Sequence, residues 1–138
     1  MKVKGAGMKK IEDYGFNQRL TFLYIAFAYQ TDFDLAEKEH DLIVQKIRGW
    51  YPEEDSDNFI SEFEEAETWY RDVFDHYTEE LMPMIVSIAK HIGNTFDNND
   101  QKKKIIDELT EIAKADKGMN QREKDWLAGL AKDMGIET

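Results

Sequence analysis

Helical periodicity along nearly the whole chain constrains the fold of this protein more than any other feature. Apolar residues recur three or four positions apart in successive stretches, and no stretch alternates apolar and polar residues as a half-buried strand does. A chain of 138 residues is long enough to bury one core without disulfides or a structural metal. The sequence therefore predicts an all-α fold, a single-domain bundle of about six to seven helices.

Breaks in this pattern predict where some of the helices begin and end. Ser56 or Asp57 is the expected N-cap of the third helix, and Thr78 is the expected N-cap of the fourth. Pro83 is compatible with that fourth helix only in or near its first turn. Gly135 follows the last apolar repeat, where a left-handed C-cap residue is expected.

Composition excludes several classes of function. The chain has no cysteine, so it forms no disulfide, thiolate zinc site or cysteine nucleophile, and its three histidines lack metal-ligand spacing. No apolar run approaches the ~20 residues of a membrane span, and the first ten residues lack the apolar centre of a signal peptide. We expect a soluble, cytoplasmic protein with a basic, flexible arm at residues 1–10 and one domain over residues 11–138.

The net charge of -11 is concentrated in one segment. Residues 53–80 contain twelve acidic residues and one basic residue, Arg71, whereas the rest of the chain is balanced. A surface of this sign repels phosphate, which argues against nucleic acid as a direct partner. Two interpretations stay open, a solvated helix face that aids solubility and a docking surface for a basic partner.

A helix-loop-helix pattern occurs twice, with an offset of 84 residues. Asp32 in the first copy corresponds to Asp116 in the second, and Glu39 corresponds to Glu123. The surrounding apolar positions also correspond, although periodic apolar residues match easily between any two helical hairpins. The acid pair in register with them is the informative part of the repeat.

The repeat suggests a metal site shared by the two hairpins. If the hairpins pack together, like charges converge, and they stay ionised only around a cation or a basic side chain. Oxygen ligands favour a hard ion such as Ca²⁺, Mg²⁺ or Mn²⁺. The predicted ligands are the carboxylates of Asp32, Asp34, Glu39, Asp116 and Glu123.

Helix capping is an alternative explanation for the same acids. Asn120 and Glu123 form a capping box, and Asp34 with Glu37 offers a second one. The loop of the second copy is not an EF-hand, because counting from Asp116 places Gln121 at the position of the required glycine and Leu127 at the position of the final glutamate.

The two copies resemble the motif of the TerB-like family, the helical domain of the tellurite-resistance protein TerB that also occurs in a membrane co-chaperone. The second copy, "EIAKADKGMNQREKDWLAGLAKDMGI", spans residues 111–136, and the first, "IAFAYQTDFDLAEKEHDLIVQKI", spans residues 25–47. In both copies an aspartate is followed by an apolar residue three positions on and by a glutamate seven positions on.

The resemblance implies an all-helical domain in which two hairpins form an acidic cluster for a divalent metal. Carried over by position, the family acids are Asp32, Glu39, Asp116 and Glu123, and Asp34 is a local addition. The resemblance also implies a link to tellurite and other stress resistance in bacteria, with protein partners in assemblies near the membrane. Without cysteine, the chain cannot reduce or trap tellurite through thiols.

Three functions are compatible with these observations. The first is a non-enzymatic, divalent-metal-binding interaction module in a bacterial stress response. The second is a scaffold that docks a basic partner through its acidic helix and binds no metal. The third is a metal-dependent hydrolase, against which the chain shows no nucleophile-base pair and no phosphate-binding glycine loop.

Overall fold

Six helices make up the described part of the chain. The structure is a computed structural model that describes residues 14–32, 37–96, 99–114 and 121–136, except for the side chains at 30–32 and 37–39. The helices are α1 (Phe16–Asp32), α2 (Glu37–Trp50), α3 (Ser56–His76), α4 (Thr78–Thr95), α5 (Asn99–Lys114) and α6 (Gln121–Asp133). The predicted all-α fold is confirmed, and the predicted arm at residues 1–10 lies outside the described residues.

Helix α1 is the centre of the bundle. Its side chains from Leu20 to Ala28 are all at most 2% exposed, including those of Phe22, Tyr24 and Phe27. A helix that is apolar on every side must be surrounded by other helices, and α1 packs against each of the other five. The remaining helices are amphipathic and bury one face against it.

Two predicted helix starts are shifted by one residue. Asp55 caps α3 by accepting from the backbone N–H of Asn58 at 3.2 Å, so the cap is neither Ser56 nor Asp57. Tyr77 is the N-cap residue of α4 and makes no side-chain cap, whereas Thr78 is helical. Local sequence could not separate the candidates for α3, because Asp55, Ser56 and Asp57 all offer capping oxygens.

The hydroxyl of Thr78 donates instead to the Phe74 carbonyl at 2.6 Å, which links the end of α3 to the start of α4. Pro83 is the sixth residue of α4 and lies near the first turn, at the start of the second. The proline ring removes one hydrogen bond to the carbonyl four residues earlier. Pro83 is exposed, so water can satisfy that carbonyl.

The end of α6 matches the predicted cap. Gly135 has a φ of 80°, and its N–H donates to the Lys132 carbonyl at 3.0 Å. The N–H of Ile136 donates to the Ala131 carbonyl at 2.9 Å. These two bonds form a Schellman motif, which needs a residue that tolerates a left-handed backbone.

Candidate functional site

Only one of the five predicted metal ligands has a described side chain. Glu123 is 1% exposed and is the third residue of α6. Asp32 is the last residue of α1 and Glu39 is the third residue of α2, but their side chains are not described. Asp34 and Asp116 lie outside the described residues. The convergence of the five carboxylates therefore stays a prediction.

The carboxylate of Glu123 occupies an unusual environment for an acid. Burying a charge is costly unless hydrogen-bond donors or a cation compensate it. The first turn of a helix offers unpaired backbone N–H groups and the positive end of the helix dipole, and both favour a carboxylate. A buried acid at this position fits the metal-ligand hypothesis and also fits the predicted capping box with Asn120, which lies outside the described residues.

The first hairpin consists of α1 and α2, and the second consists of α5 and α6. The second helices of the two hairpins begin at equivalent positions of the repeat. Helix α2 begins at Glu37 and α6 begins at Gln121, which are 84 positions apart, the same offset that relates the predicted aspartates. The hydroxyl of Tyr24 donates to Glu108 Oε1 at 2.6 Å, and these two residues are also 84 positions apart. Equivalent positions of the two repeats are thus in direct contact.

Helices α1 and α5 run in the same direction. Near their beginnings, the rings of Phe16 and Phe96 meet edge to face with centroids 5.5 Å apart, and Phe96 precedes α5 by three positions. Further along, Tyr24 contacts Glu108. Because the contacts advance together along both helices, α1 and α5 end at the same end of the bundle.

The second helix of each hairpin packs on the first helix of the other. The Trp50 indole N–H donates to Glu108 Oε1 at 2.8 Å, and Lys46 Nζ lies 2.6 Å from Glu111 Oε2, so α2 runs antiparallel to α5. In the reciprocal contact, the rings of Phe27 and Trp126 are 6.2 Å apart, which places the first half of α6 beside the last half of α1. The loop ends of both hairpins therefore lie at one end of the bundle.

Glu108 is the polar centre of this packing, and sequence reasoning missed it. The carboxylate is 8% exposed and accepts from both Tyr24 and Trp50 through one oxygen. Burial, followed by the charge of Glu108, raises the pKa of Tyr24 well above its ordinary value, so the phenol stays protonated and keeps donating. The sequence feature that could have identified Glu108 is its position on the buried face of α5, three residues after Ile105.

The acidic segment lies on the surface. None of its twelve acidic residues is buried, and most belong to α3. The acids influence one another, because burial and then the neighbouring carboxylate of Glu54 raise the pKa of Glu62, although a hydrogen bond from Asn17 acts in the opposite direction. The predicted acidic helix face is thus a real concentration of like charge.

Two histidines, His40 and His91, have polar side-chain partners. The His40 ring lies 2.9 Å from Glu67 and edge-on to Phe63. The His91 ring lies 2.7 Å from the Arg19 guanidinium. Burial, followed by the charge of Arg19, lowers the pKa of His91.

Among the described residues, no three or more histidine and acidic side chains are arranged to hold a metal. The side chains of Asp32, Asp34, Glu39 and Asp116 are not among those residues. None of the described helices has both the length and the apolar character that crossing a bilayer requires.

The six described helices form an all-helical domain in which α1 is enclosed by the other five helices and the two hairpins pack against each other. Residues 20–138 match the family described as tellurite resistance protein TerB, which covers most of the chain. The chain belongs to the TerB family, and the predicted resemblance is confirmed. No curated protein and no solved structure matches the sequence.

Proposed function

We propose that the chain is a non-enzymatic interaction module of a tellurite or stress response, and that it binds one divalent cation between its two hairpin loops. Family membership supports the link to tellurite resistance. The observation that carries the metal half of the proposal is the common position of the two loop ends at one end of the bundle. Without that arrangement, the two sets of acids would be separate caps.

The chemistry of the residues at this end fits a hard cation. The predicted ligands are all carboxylates, and Ca²⁺, Mg²⁺ and Mn²⁺ prefer oxygen. The one described member, Glu123, is almost fully buried, so a cation beside it would be held in a region where charge attraction is only weakly screened. Asp32, Asp34, Glu39 and Asp116 would complete the site from the two loops.

Metal binding is expected to stabilise the fold. At a concentration of Ca²⁺ or Mn²⁺ about 100 times the Kd, the free energy of unfolding should rise by about 2.7 kcal/mol, and Tm should rise by about 5 to 10 °C. Glu123→Gln removes a charged ligand with little change in shape and should abolish most of this rise. The measurement is thermal unfolding followed by circular dichroism, with and without EDTA.

Asp125→Asn is the matched control for that experiment. Asp125 lies two residues further along α6 but is exposed, and it accepts from the Gln121 side chain at 2.9 Å. Its variant should keep the full metal-dependent rise in Tm. An unchanged Tm in EDTA and in all three ions, or an equal rise in Glu123→Gln, would contradict the metal half of the proposal.

A second role, docking of a basic partner protein, is supported by the exposed acids of α3. Cationic side chains of a partner would offset the like charge of this surface, including the repulsion from Glu54 that adds to burial in raising the pKa of Glu62. Attraction of this kind is screened by salt, whereas a buried metal site is affected much less. The partners implied by the family resemblance, proteins of stress-response assemblies near the membrane, fit either role.

A further inference from the structure

One face of α3 carries a stripe of four exposed residues and the half-buried Glu67, with an apolar side chain at each end. Its members are spaced four, three, four and three positions apart, which keeps them on one side of the helix. We name this surface the α3 stripe, and it consists of Ile60, Glu64, Glu67, Arg71 and Phe74.

The apolar ends of the α3 stripe are among the exposed large apolar side chains of the described residues. Ile60 is 52% exposed and Phe74 is 46% exposed, although the periodicity of α3 predicts that Phe74 is buried. They are 14 positions apart, which is about 21 Å along a helix. Single exposed apolar residues are common on protein surfaces, so a binding site is indicated here by the clefts beside these two residues and by the acids between them.

Each apolar end borders a cleft. Beside Ile60, a cleft of about 150 Å³ opens between α2 and α3, with Val44, Phe59 and Phe63 in its wall and Glu64 at its edge. The apolar wall accepts an aliphatic side chain, and the carboxylate at the edge favours a neighbouring lysine or arginine.

Beside Phe74, a cleft of about 260 Å³ is lined largely by aromatic rings. Tyr29 stacks on Tyr70 with ring centroids 5.3 Å apart, and Tyr70 stacks on Phe74 at 6.0 Å. Phe74 is the exposed end of this row of rings. Such a surface accepts a second apolar or aromatic side chain.

We propose that the α3 stripe binds a cationic amphipathic helix of a partner protein, about four turns long, with an apolar residue in each cleft and lysine or arginine opposite Glu64 and Glu67. This inference rests on the proposed docking role and names its site and the chemistry of its partner. A helix with apolar residues 14 positions apart presents both on one face, at the spacing of Ile60 and Phe74 along α3.

Charge selects this partner over two others. Phosphate groups of a membrane or nucleic acid are repelled by the acids that surround the stripe. In a symmetric dimer, the same surface of each copy meets its own equivalent. A second copy of the chain would therefore bring two segments of net charge -11 together.

The test uses two synthetic lysine- and alanine-based helical peptides of identical composition. The matched peptide carries two leucines 14 positions apart, and the control peptide carries them 12 positions apart, which turns them to different faces. Fluorescence anisotropy at moderate salt should show tighter binding of the matched peptide. Ile60→Ser and Phe74→Ser should each weaken that binding about tenfold, because each removes one buried apolar contact.

Met82→Ser is the control for the protein. Met82 is 48% exposed, similar to both apolar ends, but it lies on α4. It should leave the affinity unchanged, and unchanged Tm values would show that all three variants are folded. If both peptides bound equally well and salt weakened their binding, the proposal that the α3 stripe is the binding site would be overturned. The docking role of the acidic segment would still stand.

Failure of both peptides to bind would contradict the docking role and the stripe together. A concentration-dependent dimer that Ile60→Ser dissociates would assign the surface to a second copy of the chain and also overturn the proposal. Analytical ultracentrifugation of the wild type and this variant distinguishes that outcome from peptide binding.

Discussion

Gly93→Ala is expected to lower the free energy of unfolding by about 2 to 3 kcal/mol, and Tm by roughly 10 °C. A Cβ atom at Gly93 would clash with the carbonyl oxygen of Met134 and would lie 2.8 Å from its carbonyl carbon. Both are backbone atoms, and the C-terminal cap of α6 holds that backbone through the Gly135 and Ile136 hydrogen bonds. Relief of the clash therefore requires α4 and α6 to separate.

Gly129→Ala is the matched control for this prediction. Gly129 lies inside α6, and a Cβ atom there would meet nothing within 4 Å. Alanine should therefore stabilise the protein by about 0.5 to 1 kcal/mol through helix propensity alone. Chemical denaturation measures both variants. Equal stabilisation by the two alanines would mean that α4 and the end of α6 are not packed as described.

Glu108→Ala is expected to lower the free energy of unfolding by about 2 to 4 kcal/mol. Its carboxylate accepts from Tyr24 and Trp50, and Tyr24 is completely buried. Removing the acceptor leaves a buried phenol and a partly buried indole N–H without their partner. Glu108→Gln keeps a carbonyl oxygen at the same position and should lose less than half as much.

Glu111→Ala is the control for Glu108→Ala, because it also removes one acid from α5. Glu111 lies three residues further along α5, is largely exposed, and pairs with Lys46 at 2.6 Å. A surface ion pair contributes about 0 to 1 kcal/mol, so this variant should be close to the wild type. Urea unfolding compares the two variants, and equal losses would mean that the buried network does not join the hairpins.

Much of the fold follows from periodicity, because burial on one helix face leaves a direct record in the sequence. The continuous apolar run of α1 predicts a helix enclosed by others. Gly135 predicts the end of α6 because few other residues tolerate its backbone conformation. Periodicity says less about individual exposure, and Phe74 is partly exposed although it continues the apolar spacing of α3.

The candidate site was only partly accessible from the sequence. The 84-residue offset correctly relates the starts of α2 and α6, since each start follows from local capping and apolar signals. The parallel course of α1 and α5 is a property of packing between distant segments, and no local pattern encodes it. The burial of Glu123 and Glu108 depends on that packing, so the sequence could suggest acids but not their surroundings.

The loop ends of the two hairpins and the α3 stripe lie in different parts of the molecule. The loop ends of the hairpins lie beside the ends of α1 and α5, whereas the stripe extends along α3 from Ile60 to Phe74. Variants at Glu123 and at Ile60 should therefore change metal-dependent stability and peptide affinity separately.

The claim that the two hairpin loops share one cation is tested most directly by the stoichiometry of metal binding. Isothermal titration of Ca²⁺ and Mn²⁺ should be carried out on the wild type, Asp32→Asn and Asp116→Asn, which change one loop at a time. We predict one ion per chain in the wild type and at least a tenfold loss of affinity in both variants, since each loop supplies ligands to the same ion. No heat in the wild type, or two ions per chain of which each variant loses only one, would contradict the claim.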